Sequence, residues 1–118
     1  MEATEQRQSV EVVYKIVGVC FENRQEILSE FYKKFEYGKE YPVFLRPEED
    51  NPYDQNAVGV WMVVGDAERQ IGYVPRDSNV ELKRLLPRLE KCVLNSIGIS
   101  PKSIIGVSVK CVFRPGEE

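Results

Sequence analysis

Three runs rich in β-branched residues most narrow what this chain can fold into. They are Val10-Glu11-Val12-Val13-Tyr14-Lys15-Ile16-Val17-Gly18-Val19-Cys20-Phe21, Val58-Gly59-Val60-Trp61-Met62-Val63-Val64 and Ile104-Ile105-Gly106-Val107-Ser108-Val109-Lys110-Cys111-Val112-Phe113. Branching at Cβ restricts χ1 in a helix but packs well on a pleated surface, so such runs read as strands. None approaches the ~20 consecutive apolar residues that a membrane-spanning helix needs. At 118 residues and 42% hydrophobic, the chain is long enough for one domain with a modest core. A charged fraction of 30% set between apolar runs argues against disorder over most of the length.

Between these runs the spacing supplies shorter elements. Tyr41 to Leu45 reads as a second strand with Pro42 near its start, and Arg46 to Gln55 as a charged loop. Ala57 to Val64 is the central strand, and Gly65-Asp66 turns the chain into Gln70 to Val74. Leu89 to Ile99 is ambiguous and is taken as a strand followed by a Gly turn. Gly18 suggests a bulge or a close backbone approach within the first strand. Asn23-Arg24-Gln25-Glu26 and Ser78-Asn79-Val80-Glu81 have the form of capping boxes. The first opens a helix with a stripe of Ile27, Leu28, Phe31, Tyr32 and Phe35, ended by Gly38; the second opens one through Leu82, Leu85 and Leu86 that Pro87 limits. Five or six strands with two short helices suit a mostly-β fold, a small antiparallel barrel whose edges close on each other. Residues 1–9, polar and without the apolar core of a signal peptide, are expected to be a tail. Residues 10–114 are expected to form the domain, and residues 115–118 a second tail.

Composition removes several chemistries. The chain has no histidine, and Cys20, Cys92 and Cys111 show no C-x-x-C spacing, which argues against a structural zinc site and against Ser-His or Cys-His catalysis. Three thiols on apolar stretches suit a reducing compartment, cytoplasmic or nuclear. No cofactor is implied. The net charge of −3 disfavours coating nucleic acid through many phosphate contacts. Its distribution is uneven: between Arg69 and Arg114 nine basic residues face only Asp77, Glu81 and Glu90.

The octapeptide Asn51-Pro52-Tyr53-Asp54-Gln55-Asn56-Ala57-Val58 puts a rigid turn, a carboxylate, carboxamides and a ring immediately before the central strand. Proline fixes φ, and Asn and Asp bond to nearby backbone. Such a loop can present Tyr53 and Asp54 in a fixed relation, or its polar groups can merely satisfy local backbone. A nucleic-acid strand end offers an unstacked base, a terminal hydroxyl and a few phosphates. Tyr53 and Phe21 supply rings, Asp54 an acceptor, Asn51 an amide and Arg76 a cation suited to those groups.

The ordered series Val17-Gly18-Val19-Cys20-Phe21, Asn23-Arg24-Gln25, Leu45-Arg46, the octapeptide and Ile71-Gly72-Tyr73-Val74-Pro75-Arg76 resembles the HIRAN domain, in the form of its stand-alone prokaryotic or phage versions. The resemblance runs from about Val12 to Val112. It implies a small OB-like or SH3-like barrel flanked by helices, and a non-catalytic, DNA-binding part in DNA repair. It further implies that Asn51, Tyr53 and Asp54 line a pocket for the 3′-hydroxyl end of single-stranded DNA, with Phe21 and Tyr73 beside it and Arg76 on a phosphate. Where helicase-linked members place an arginine–aromatic pair, this chain has Cys20-Phe21, which weakens DNA binding, passes the cation's task to Arg24 or points to another ligand. A separately encoded helicase or nuclease is the implied partner, since no Gly-x-x-x-x-Gly-Lys loop is present. Two other readings stay open. The Tyr53–Asp54 loop could engage a partner protein, and Glu48, Glu49, Asp50 and Asp54 could hold Mg²⁺ in a small nuclease.

Overall fold

The computed structural model describes residues 8–116. The expected tails lie largely outside them, at residues 1–7 and 117–118. Six strands and two short helices follow in the order β1 (Val10–Lys15), α1 (Arg24–Lys33), β2 (Phe44–Pro47), β3 (Val58–Val64), β4 (Ala67–Tyr73), α2 (Asn79–Leu85), β5 (Leu89–Ile99) and β6 (Ile105–Phe113). A single 3₁₀ turn, Leu86–Arg88, carries Pro87 between α2 and β5.

The strands form two three-stranded antiparallel sheets, β1-β6-β5 and β2-β3-β4. Two isolated bridges join them, Val17 to Tyr73 on one side and Pro42 to Val93 on the other. Val17 and Tyr73 exchange both backbone bonds at 2.9 Å. At the other junction Val43 N bonds to Cys92 O and Leu94 N to Tyr41 O, each at 2.9 Å. Followed around, the six strands run β1, β4, β3, β2, β5, β6 and back to β1. The mostly-β class with two flanking helices is therefore found, as two sheets stitched at their corners rather than one continuous barrel ladder.

Alternation explains the interior. On β6, Ile105, Val107, Val109, Cys111 and Phe113 are buried while the residues between them are half-buried. On β3, Val58, Val60, Met62 and Val64 point inward and are essentially inaccessible. Helix α1 adds Ile27, Leu28 and Phe31, and α2 adds Leu82. Burying each such side chain contributes roughly 1.5–3 kcal/mol.

Several local expectations are corrected. The first strand ends at Lys15; Val17 then bridges to Tyr73, and Gly18 takes φ +72° and turns the chain. Neither capping box forms: Asn23 and Ser78 make no side-chain cap bond. Gln25, in the first turn of α1, binds the main chain of Ile105 at the start of β6 through both amide atoms and also donates to Val19 O. Glu81 pairs with Arg84 instead. Tyr32 stays exposed on the helix stripe, and α1 closes at Lys34, before Gly38. β5 runs on through Gly98 without the expected turn.

Candidate functional site

Two loops meet beside the Val17–Tyr73 junction. The first carries Phe21 between two left-handed residues, Gly18 (φ +72°) and Glu22 (φ +57°). Glycine adopts that conformation freely, whereas glutamate there is strained. Consecutive turn bonds, Phe21 N to Gly18 O and Arg24 N to Phe21 O, leave the Phe21 ring 68% exposed.

The second loop is the octapeptide. Asn51 Oδ1 accepts from Tyr53 N at 2.8 Å and Asp54 N at 3.1 Å, an Asx turn that Pro52 pre-shapes. Asp54 Oδ1 accepts from Asn56 N at 2.9 Å, and Asp54 Oδ2 from Asn79 Nδ2 at 2.9 Å. Arg76 Nε lies 3.6 Å from Asp54 Oδ2, and its Nη2 donates to Tyr53 O at 3.3 Å. Asn51 and Asp54 thus shape the loop, and the Tyr53 ring is left 87% exposed. The Asn56 N–H first, then Asn79, with Arg76 and Lys83 adding charge, hold the Asp54 carboxyl below its ordinary pKa against some burial.

The floor joins the two loops. Tyr73 OH donates to Glu48 Oε1 at 2.9 Å, and Asn51 Nδ2 donates to the same oxygen at 3.0 Å. The Arg24 guanidinium lies 5.1 Å from the Tyr73 ring centroid and donates to Gly18 O at 2.8 Å. Arg24 is only 5% exposed, so it acts as a fixed positive floor rather than a mobile surface cation. The result is an open cleft of about 1050 Å³. Phe21, Asn51, Tyr53, Asp54, Tyr73 and Arg76 all line it, although they come from segments up to 55 positions apart.

Arg24, Glu48 and Asn79 also line it. Glu48 sits in a run of carboxylates that reads as a solvated loop, and Asn79 in a segment that reads as a helix cap. Nothing in its local sequence marks Asn79 as part of a site, and the sequence offers Glu48 only as a candidate Mg²⁺ ligand. Among the described residues no three of Cys, Asp and Glu converge as metal ligands, and the loop run Glu48-Glu49-Asp50 does not close into a cage. No helix among them is long and apolar enough to cross a membrane.

Two free rings at the rim, cations beneath and beside them, and a loop locked by its own polar groups define a binding module of the β-rich class. The chain belongs to the HIRAN domain family, whose family model matches residues 9–113, nearly all of it. Domains of this family are in general DNA-binding modules, typically without catalysis of their own. No curated protein and no solved structure matches the chain.

Proposed function

We propose that the cleft binds single-stranded DNA at a free 3′-hydroxyl end and does no chemistry on it. The observation that carries this reading is the pair of exposed rings, Phe21 and Tyr53, on the rim of one cleft. Exposed aromatic side chains on rigid loops are ready to stack on unpaired bases, at roughly 1–3 kcal/mol per base. A terminal nucleotide can enter where a continuous duplex cannot, since its base is free to leave the stack. Arg76, with its side chain 78% exposed, is placed to meet a phosphate at the rim. Glu22, Glu48, Asp50 and Asp54 outnumber Arg24 and Arg76 in the lining, which favours a hydroxyl over a phosphate at the terminus. Residues 10–114 would act as the module, with a separately encoded helicase or nuclease supplying motor or cutting activity.

The test is fluorescence anisotropy with short labelled oligonucleotides ending in a 3′-hydroxyl or a 3′-phosphate. Tighter binding of the hydroxyl end supports end recognition, and equal binding reduces the module to a generic single-strand binder. Absence of binding to both transfers the cleft to a protein partner.

A further inference from the structure

The excess of basic residues between Arg69 and Arg114 is not absorbed by the cleft, where only Arg76 of that stretch belongs to the lining. We propose that Arg88 and Arg114 form a second, phosphate-binding station, reached from the cleft along α2, over which the backbone of the bound strand runs. The inference rests on the single-strand reading of the cleft.

Arg88 and Arg114 are held side by side by each other's neighbourhood. Arg88 Nε donates to Arg114 O at 3.0 Å, Arg114 Nη2 donates to Pro87 O at 2.9 Å, and Arg114 N donates to Arg88 O at 2.8 Å. These bonds fix two like charges together against neutral carbonyls. Among the described residues neither guanidinium enters an ion pair, whereas Arg24, Arg46, Arg76 and Arg84 each have a carboxylate. The tie takes one N–H from each guanidinium, and a guanidinium carries five in a fork that matches phosphate oxygens.

Helix α2 starts at the cleft and leads through the 3₁₀ turn to Arg88. Asn79 lines the cleft, and Lys83, one helical turn on, reaches Asn56 Oδ1 at 3.5 Å and Glu49 at 3.8 Å. The rise of α2 plus the 3₁₀ turn places Arg88 about 15 Å beyond Asn79. At ~3.4 Å per stacked nucleotide that is a span of roughly four to five nucleotides. A strand whose end sits in the cleft would therefore bring its backbone to Arg88 and Arg114 only if it is longer than that span.

The experiment compares a 3-nucleotide and a 10-nucleotide single strand, both with free 3′-hydroxyl ends, on the intact chain. The expected result is at least tenfold tighter binding of the longer strand. Combining Arg88→Gln with Arg114→Gln should remove that advantage, leave the 3-nucleotide affinity unchanged, and flatten the salt slope by about 1.4 for two phosphates. Combining Arg88→Lys with Arg114→Lys, which keeps charge but not the fork, should retain most of the slope and controls for folding. If the 3-nucleotide strand binds and the longer one binds no better, the station is overturned while the cleft reading stands. Binding of only the longer strand, lost in the glutamine variant, keeps the station and sinks the end pocket. Failure of both strands to bind overturns both.

Discussion

Asn79 Nδ2 donates to Asp54 Oδ2 at 2.9 Å, and this bond fastens the first turn of α2 to the loop that carries Tyr53. Asn79 is 2% exposed, so its amide has no water to fall back on, and the carboxylate it meets is itself mostly shielded. A hydrogen bond to a charged group in such a place contributes about 2 kcal/mol. Asn79→Ala should lower unfolding stability by about that amount in denaturant titration. Asn79→Asp should cost more at neutral pH, because it sets two carboxylates against each other, and should recover on mild acidification. Equal stability of Asn79→Asp at both pH values would mean that the contact does not form in solution.

The Asp54 carboxyl also gives the loop a pH dependence of known sign. Its folded pKa is depressed, with the Asn56 N–H as the largest cause, so the unfolded chain binds the proton more readily. The stabilisation is therefore present above the unfolded carboxylate value near ~3.9 and is lost as pH falls through the folded value. Melting temperatures of the wild-type chain and Asp54→Asn, followed downward from pH 6, should converge at the acid end. Parallel curves would show that Asp54 is not held as described.

How much of this was legible in the chain depends on whether a signal was local. The strands declared themselves because β-branching and alternation act over a few residues, as in β6. The octapeptide turn was equally readable, since Asn51, Pro52 and Asp54 act on their immediate backbone. The capping boxes were misread: Asn23 makes no side-chain cap bond, and in the second box Ser78 bonds to Asp77 and Glu81 to Arg84. The pattern permits a cap but does not exclude such local competitors. The places of Glu48 and Asn79 in the cleft exist only once β4 and α2 are packed. Phe21, Tyr53 and Arg76 were named from their chemistry and from family likeness; that they share one cleft required the fold.

Tyr53→Ala separates binding from folding. An 87%-exposed residue contributes little to the core, so the unfolding free energy should stay within about 0.5 kcal/mol of wild type. Stacking of roughly 1–3 kcal/mol on one base predicts single-stranded DNA binding weaker by about 5- to 150-fold. Phe21→Ala, at a residue 68% exposed, should behave alike. Unchanged affinity in both variants would leave the rim without a role in DNA binding.

Gly72 sits at a close approach between the two sheets. A Cβ there would stand 2.5 Å from Val17 O and 2.6 Å from Ile16 Cγ2, inside the junction that Val17 makes with Tyr73. Backbone cannot swing aside as a long side chain can. Gly72→Ala should therefore destabilise by about 1–3 kcal/mol, as overpacking does, and shift Tyr73 away from Glu48. Amide exchange at Val17 and Tyr73 is the direct readout. Protection equal to wild type would mean that the junction is looser than its two 2.9 Å bonds imply.

The three thiols differ in a way that reports on the cleft. Cys92 and Cys111 face each other across β5 and β6 with their sulfurs 3.4 Å apart, both buried, and that contact together with burial pushes the Cys92 thiol far above the ordinary range. Cys20 is exposed and immediately precedes Phe21. A thiol needs access and thiolate character to react. A thiol reagent should therefore modify one cysteine rapidly in the native chain and all three in denaturant. Because Cys20 adjoins the rim, a bound 3′-hydroxyl oligonucleotide should slow that first reaction and leave the slow pair untouched. Labelling at an unchanged rate in saturating oligonucleotide would place the DNA elsewhere on the surface, away from Phe21.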